Sequence, residues 1–194
     1  MKIGITGGIG SGKTYICQQL TAAGFPVYDC DTEAKRLMQE SPEIRAQLTQ
    51  LIGPEAYTPQ GELGKAAIAS YLFDSQANAE KVNRIVHPVV RRDFQAWCQL
   101  QTAAHCFMES AILFESGFDT TVDRSVLVYA DTPTRLQRAM QRDQATEQQI
   151  EARMAQQIST EAAKQRADYV LDNSQHANTA TEIARMLTWL TTQE

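Results

Sequence analysis

Residues 7–14 read Gly7-Gly8-Ile9-Gly10-Ser11-Gly12-Lys13-Thr14, the pattern G-x-x-x-x-G-K-[ST]. No other segment constrains the fold as strongly. A loop this dense in glycine lets several backbone N–H groups converge on polyphosphate oxygens, because glycine tolerates positive φ and close approach. A short apolar run, residues 3–6, precedes the loop, and a helical stretch, residues 15–23, follows it. The pattern requires both flanks: a strand that delivers the chain, and a helix whose free amides and positive dipole end face the anion. Lys13 then brings a positive charge to the β and γ phosphates, and Thr14 offers its hydroxyl to Mg²⁺. Gly8, Ile9, Gly10, Ser11, Gly12, Lys13, Thr14 and Tyr15 are the candidate nucleotide-binding residues, with Lys13 also catalytic.

Four more short apolar runs follow, at residues 26–28, 106–108, 125–130 and 169–171. Each of the four meets an acidic residue at its carboxyl end: Asp29, Glu109, Asp131 and Asp172. Strands alternating with helices predict an α/β fold, a parallel five-stranded sheet with helices on both faces. Ligands of such sheets gather at the carboxyl ends of the strands. The gap between the second and third runs is long, reads as helices over 32–40, 42–52, 63–72 and 80–100, and predicts a break or restart at Pro88. A plain strand–helix–strand unit needs far fewer residues, so 31–105 is expected to be a helical insertion that binds substrate. Residues 142–165, rich in Gln, Ala, Glu and Arg, predict a second, exposed helical segment. The expected division is a nucleotide-binding core of 1–30, 106–141 and 166–194, the insertion, and a lid of 142–165.

The net charge of −5 disfavours nucleic acid and anionic membranes as partners, so any polyanion must meet a local cluster of donors. The glycine loop is that cluster. Cys17, Cys30, Cys98 and Cys106 form no C-x-x-C pair, and no apolar run reaches membrane-spanning length. Reduced thiols and no signal-like N-terminus predict a cytoplasmic protein with no obligate protein partner.

The loop specifies a nucleoside triphosphate but not its use. Neither a D-x-x-G loop nor an N-K-x-D motif is present, which disfavours a guanine-nucleotide switch. Ala130-Asp131-Thr132 lacks the second acid of a motor ATPase. A small-molecule kinase fits best. Asp29 and Asp31, two residues apart, are candidates for the base that takes the acceptor proton and for holding Mg²⁺ through water; Asp31 also begins a good helix cap with Thr32 and Glu33. Arg135, Arg138 and Arg142 share a helix face, with Arg138 and Arg142 expected on phosphates and Arg135 at the surface. His87 stands among basic residues of the insertion.

These residues together resemble the dephospho-coenzyme A kinase family over nearly the whole chain. Residues 6–14 look like its nucleotide loop, and Val27-Tyr28-Asp29-Cys30-Asp31 is similar to its paired-aspartate segment. Val86-His87-Pro88-Val89, Ile112-Leu113-Phe114-Glu115, and Arg138 through Asp143 match further elements, as do Gln156, Lys164, Asp168 and Asp172-Asn173 in its closing segment. The resemblance implies a nucleotide-kinase-like core, a coenzyme-A-binding insertion and a lid. It implies transfer of the γ-phosphoryl of ATP to the ribose 3′-hydroxyl of dephospho-coenzyme A, the final step of coenzyme A biosynthesis. Asp31 becomes the favoured base, Asp29 its neighbour near Mg²⁺, and Arg142 a catalytic phosphate clamp beside Arg138. Asn173 is assigned to ATP, and His87, Lys65, Glu109 and Asp31 to the acceptor. Several positions depart from the family pattern: Cys30 for alanine, Ala111 for proline, Lys65 for arginine, Tyr15 for a small hydroxyl residue, and Gln175-His176 for a glycine turn.

Overall fold

The computed structural model describes residues 1–193. All five apolar runs form strands: β1 (Lys2–Thr6), β2 (Val27–Asp29), β3 (Cys106–Glu109), β4 (Arg124–Tyr129) and β5 (Tyr169–Asp172). They lie in one sheet in the order β2-β3-β1-β4-β5. Pairing is parallel between β1 and β3, β1 and β4, and β4 and β5. The central strand β1 therefore has neighbours on both sides, which is why it reads as a continuous apolar run. Its register pairs Ile5 with Glu109 on β3 and Thr6 with Leu127 on β4, so the glycine loop leaves the sheet beside the ends of both neighbours.

The chain divides into two compact units, Met1–Tyr28 with Gln101–Glu194, and Asp29–Leu100. The helices in chain order are α1 (Lys13–Ala22), α2 (Cys30–Glu40), α3 (Pro42–Ile52), α4 (Lys65–Asp74), α5 (Gln76–Gln99), α6 (Thr132–Asp143), α7 (Glu147–Met154), α8 (Thr160–Arg166) and α9 (Thr179–Thr191). In the first unit Ile3, Ile5, Phe107, Val126 and Leu171 from the strands meet Ile16 and Leu20 of α1 and Met186 and Leu190 of α9 in one core. The apolar residues of α9 recur at helical spacing, and that face is the one buried.

The second unit is helical. Helix α5 runs unbroken through Pro88, where the sequence predicted a break. Proline removes one N–H from the helix ladder and costs ~3 kcal/mol or more in a helix interior. Here the stripe Val82, Val86, Val89, Val90 and Phe94 is buried on both sides of the proline, and that packing outweighs the lost hydrogen bond. Pro88 itself lies on the exposed side.

The division between core and surface gives a direct test. Phe107 is fully buried and meets Phe25 edge-on at 5.6 Å between ring centroids. Phe107→Ala is expected to cost ~3–5 kcal/mol of unfolding free energy in denaturant titration. Phe73, 88% exposed, should tolerate the same change within ~0.5 kcal/mol.

Candidate active site

The loop after β1 has a sorted polarity. Its carbonyls are taken by protein donors: Gly8 O by the Ser11 amide (3.0 Å), Ile9 O by Arg135 Nε (2.9 Å), and Gly12 O by the Ile16 amide (3.1 Å). Ser11 O accepts from Asn173 Nδ2 (2.8 Å) and, more weakly, from Arg138 Nη1 (3.4 Å). Among the described residues no protein acceptor takes the amides of Gly10, Gly12, Lys13 or Thr14. Two of these belong to the first turn of α1, which has no intrahelical partner to offer them. The result is a concave set of donors with the acceptors drawn outward, the electrostatic form that a polyphosphate requires.

Two glycines make this geometry possible. Gly10 has φ 77° and Gly12 has φ 88°, both left-handed. A Cβ on Gly10 would overlap the carbonyl oxygen of Arg135, and one on Gly12 would overlap Nδ2 of Asn173. The loop is thus held against α6 and the end of β5 at contact distance.

Lys13 Nζ and Thr14 Oγ1 both reach the same oxygen, Oε1 of Glu109, at 2.6 and 2.7 Å. Glu109 is the last residue of β3 and buried, and the β1–β3 register brings it here. Sequence reading assigned Glu109 to the acceptor; the structure joins it to the nucleotide loop. A carboxylate and a hydroxyl at one point are hard oxygen donors, and they fit Mg²⁺, which binds one or two protein oxygens together with substrate phosphates. Among the described residues no group of three or more His, Cys, Asp or Glu could hold a metal by itself.

Asn173, expected at the nucleotide, is buried and wholly engaged. Its Nδ2 holds Ser11 O, its Oδ1 accepts from Thr179 Oγ1 (2.9 Å), and its carbonyl accepts from Arg138 Nη1 (2.9 Å). Arg138 therefore braces the loop from α6. Arg142 is exposed and forms a two-point pair with Asp143, through Nε at 2.7 Å and Nη2 at 3.0 Å. Asp143 also accepts from Arg153 Nη1 at 2.7 Å, and the two guanidiniums, Arg142 foremost, hold its carboxyl well below the usual range. Tyr15 follows on α1, half exposed.

Arg135 was expected at the surface and is not there. It is half-buried, with Nη1 donating to Thr160 Oγ1 (3.2 Å) as Nε holds Ile9 O. The i, i+3 spacing to Arg138 put it on the right face, but that spacing does not reveal how deep a helix sits. Gln157 was also missed. Its Oε1 accepts from the Ile9 amide at 2.8 Å, whereas the sequence comparison had singled out Gln156, one residue earlier.

In the second unit the cap of α2 is Asp29, two residues before the position predicted. Its Oδ1 accepts from the amides of Asp31 (3.0 Å) and Thr32 (3.3 Å), and its Oδ2 from Thr32 Oγ1 (2.7 Å). The helix begins at Cys30, so the aspartate in extended conformation before it takes the cap. Asp31 is left exposed in the first turn, and among the described residues its carboxylate accepts no hydrogen bond. Arg36 on α2 reaches Asp93 on α5 at 2.9 Å, which joins the helix of Asp31 to that of His87. His87 is half-buried on α5, and Lys65 is exposed at the first position of α4.

Burial, and then the charge of Arg91, lower the pKa of His87 from its ordinary value. A histidine with a depressed folded pKa resists protonation in the native state, so stability is complete above the unfolded value of ~6.5 and declines as pH falls below it. His87→Gln is expected to shrink the fall in Tm between pH 7.5 and 5.5, measured by differential scanning fluorimetry.

A parallel sheet in this order, with a glycine loop passing from its central strand into a helix, is a P-loop kinase-like fold. A family model described as dephospho-CoA kinase matches residues 1–179. A dephospho-CoA kinase of Bacteroides fragilis is 41% identical, covering 98% of this chain and 93% of its own. A Thermus thermophilus protein of known crystal structure superposes with a TM-score of 0.82 at 30% identity, over 100% of this chain and 97% of its own. The dephospho-CoA kinase of Campylobacter jejuni shares the fold at 20% identity, with a TM-score of 0.72 over 100% of this chain and 99% of its own. The chain belongs to the dephospho-CoA kinase family.

Proposed function

We propose that this protein transfers the γ-phosphoryl group of ATP to the ribose 3′-hydroxyl of dephospho-coenzyme A, giving coenzyme A and ADP in the last step of coenzyme A synthesis. The observation that carries the proposal is the loop of residues 7–14, where carbonyls are held outward and four amides are left for an anion. Family membership supplies the acceptor.

The acceptor oxygen attacks the γ phosphorus in line, the bond from that phosphorus to the β–γ bridging oxygen breaks, and ADP leaves with the electron pair. Asp31 is assigned the acceptor proton. The capping bonds of Asp29 occupy both of its carboxylate oxygens, which favours Asp31 over Asp29 as the base. Lys13 exchanges its bond to Glu109 for one to the phosphates, and Arg138 and Arg142 contribute positive charge. Thr14 and Glu109 are assigned to Mg²⁺, which when bound neutralises charge on the phosphates; Asp29 is kept as a contact through water. Tyr15 and Asn173 are placed on the nucleotide side, and His87 and Lys65 on the acceptor side. The helical unit 29–100 is assigned to coenzyme A and residues 142–165 to a lid that excludes water. The four cysteines form no disulfide, in keeping with a cytoplasmic enzyme.

The test is purified protein with Mg·ATP and dephospho-coenzyme A, followed by mass spectrometry of the acceptor. A product heavier by one phosphate on the 3′-oxygen, absent with Lys13→Ala, is expected. Asp31→Asn should lower kcat by ~10²–10⁴ and leave ATP affinity intact. Asp29→Ala should cost stability more than turnover, ~1 kcal/mol by loss of the cap. Phosphate arriving instead on AMP, CMP or shikimate would overturn the acceptor assignment.

A further inference from the structure

Arg135 lies half-buried behind the phosphate loop with no carboxylate paired to it among the described residues. A buried charge without a counter-charge is costly, and proteins retain one where something else supplies the opposite charge. Burial lowers the pKa of Arg135, which records that cost, although a guanidinium stays protonated at neutral pH. Its surroundings point to the missing charge. The guanidinium lies against Gly8, where a Cβ would overlap Nη2, and the backbone of Arg135 lies against Gly10. Nε donates to Ile9 O, while Gln157 Oε1 accepts from the amide of the same residue. Both peptide groups of Ile9 are thus fixed by side chains, one from α6 and one from the segment between α7 and α8.

That segment is tied down at two further points. Thr160, at the start of α8, accepts from Arg135 Nη1, and the Ile158 amide donates to Glu115 Oε1 at 3.1 Å. Gly7, Gly8, Ser11, Arg135, Gln157 and Thr160 contribute to the walls of a partly open cavity beside the loop. The loop is closely supported there by side chains of α6 and of the segment between α7 and α8.

We propose that Arg135 is a positioning residue for ATP: with Gln157 it sets the orientation of the Ile9 peptide groups and couples the phosphate loop to the α7–α8 segment, and its unpaired charge is balanced by the bound polyphosphate. The inference rests on the function proposed above, but it concerns only the nucleotide. Part of the effect is geometric, through Ile9, and part is electrostatic, through a half-buried cation with no paired carboxylate among the described residues.

Direct binding of a fluorescent ATP analogue, with steady-state kinetics and Tm alongside, tests it. Arg135→Ala is expected to weaken ATP binding about ten-fold and raise the KM for ATP by a similar factor. The KM for dephospho-coenzyme A should change less than two-fold. Arg135→Lys should recover part of the affinity, because a lysine keeps the charge but cannot hold Ile9 O and Thr160 together. Gln157→Ala should weaken ATP binding three- to five-fold, and the double variant should lose less than the product of the single losses, because both side chains orient the same residue, Ile9. The ATP affinity of Arg135→Ala should also fall less steeply with added salt than that of the wild type. Thr160→Val, which removes only the outer anchor, covers the case in which Arg135→Ala folds poorly, and it too should raise the KM for ATP alone. Unchanged ATP affinity in folded Arg135→Ala or Thr160→Val overturns the proposal, as does an equal loss for both substrates. If the wild type binds ATP but does not phosphorylate dephospho-coenzyme A, the acceptor assignment fails while the binding measurements still decide the role of Arg135.

Discussion

A polyphosphate site needs many amide donors facing inward and, for each of them, a carbonyl turned away and satisfied. The glycine loop of the first unit shows this sorting. The left-handed turns at Gly10 and Gly12 reverse the peptide planes, and these two positions leave no space for a side chain. The carbonyls so exposed are then claimed by Arg135 on Ile9 O, by Asn173 on Ser11 O and, more weakly, by Arg138 on the same Ser11 O. Without those donors, outward carbonyls in a half-buried loop would lack partners, at a cost of ~1–3 kcal/mol for each group. The loop conformation is therefore a property of the packed unit and not of the glycines alone.

The charge at the site follows the same logic. The chain is acidic overall, yet Lys13, Arg135 and Arg138 collect around the loop, each held in a different way. Lys13 is paired with a buried carboxylate, Glu109, which removes the cost of an isolated ammonium and keeps it at the mouth of the loop. Arg138 donates to main-chain carbonyls. Arg142 sits on the outside, paired with Asp143 in a largely solvent-exposed contact that contributes little by itself. Because Glu109 shares a single oxygen between Lys13 and Thr14, the lysine, the hydroxyl and the carboxylate form one coupled group, and phosphate or metal arriving at one of them alters the bonds of the others.

The helical unit uses another economy. Helix α2 begins one residue after Asp29, so the two neighbouring aspartates differ in engagement. The extended Asp29 caps the helix through both oxygens, and the carboxylate of Asp31 accepts no hydrogen bond among the described residues. Arg36 and Asp93 link this helix to α5, whose unbroken course through Pro88 keeps His87 on the same rigid element as Phe94.

How much of this was legible in the sequence depends on the range of the interaction involved. Local patterns determined the five strands, the loop and its helix, and the buried face of α9, because periodicity and turn chemistry act over a few residues. The break predicted at Pro88 failed because a proline's local cost is set against the burial of an apolar stripe from Val82 to Phe94. The cap of α2 was misplaced because its position depends on where the strand before it ends. Glu109 reaches Lys13 across 96 positions of sequence through strand register, Arg135 reaches Ile9 across 126, and Gln157 reaches it across 148. No spacing rule covers such distances. The sequence by itself determined that this chain presents a polyphosphate loop on a parallel sheet; only the tertiary structure decided which distant side chains hold that loop in shape, because strand order and helix depth are consequences of packing the whole core.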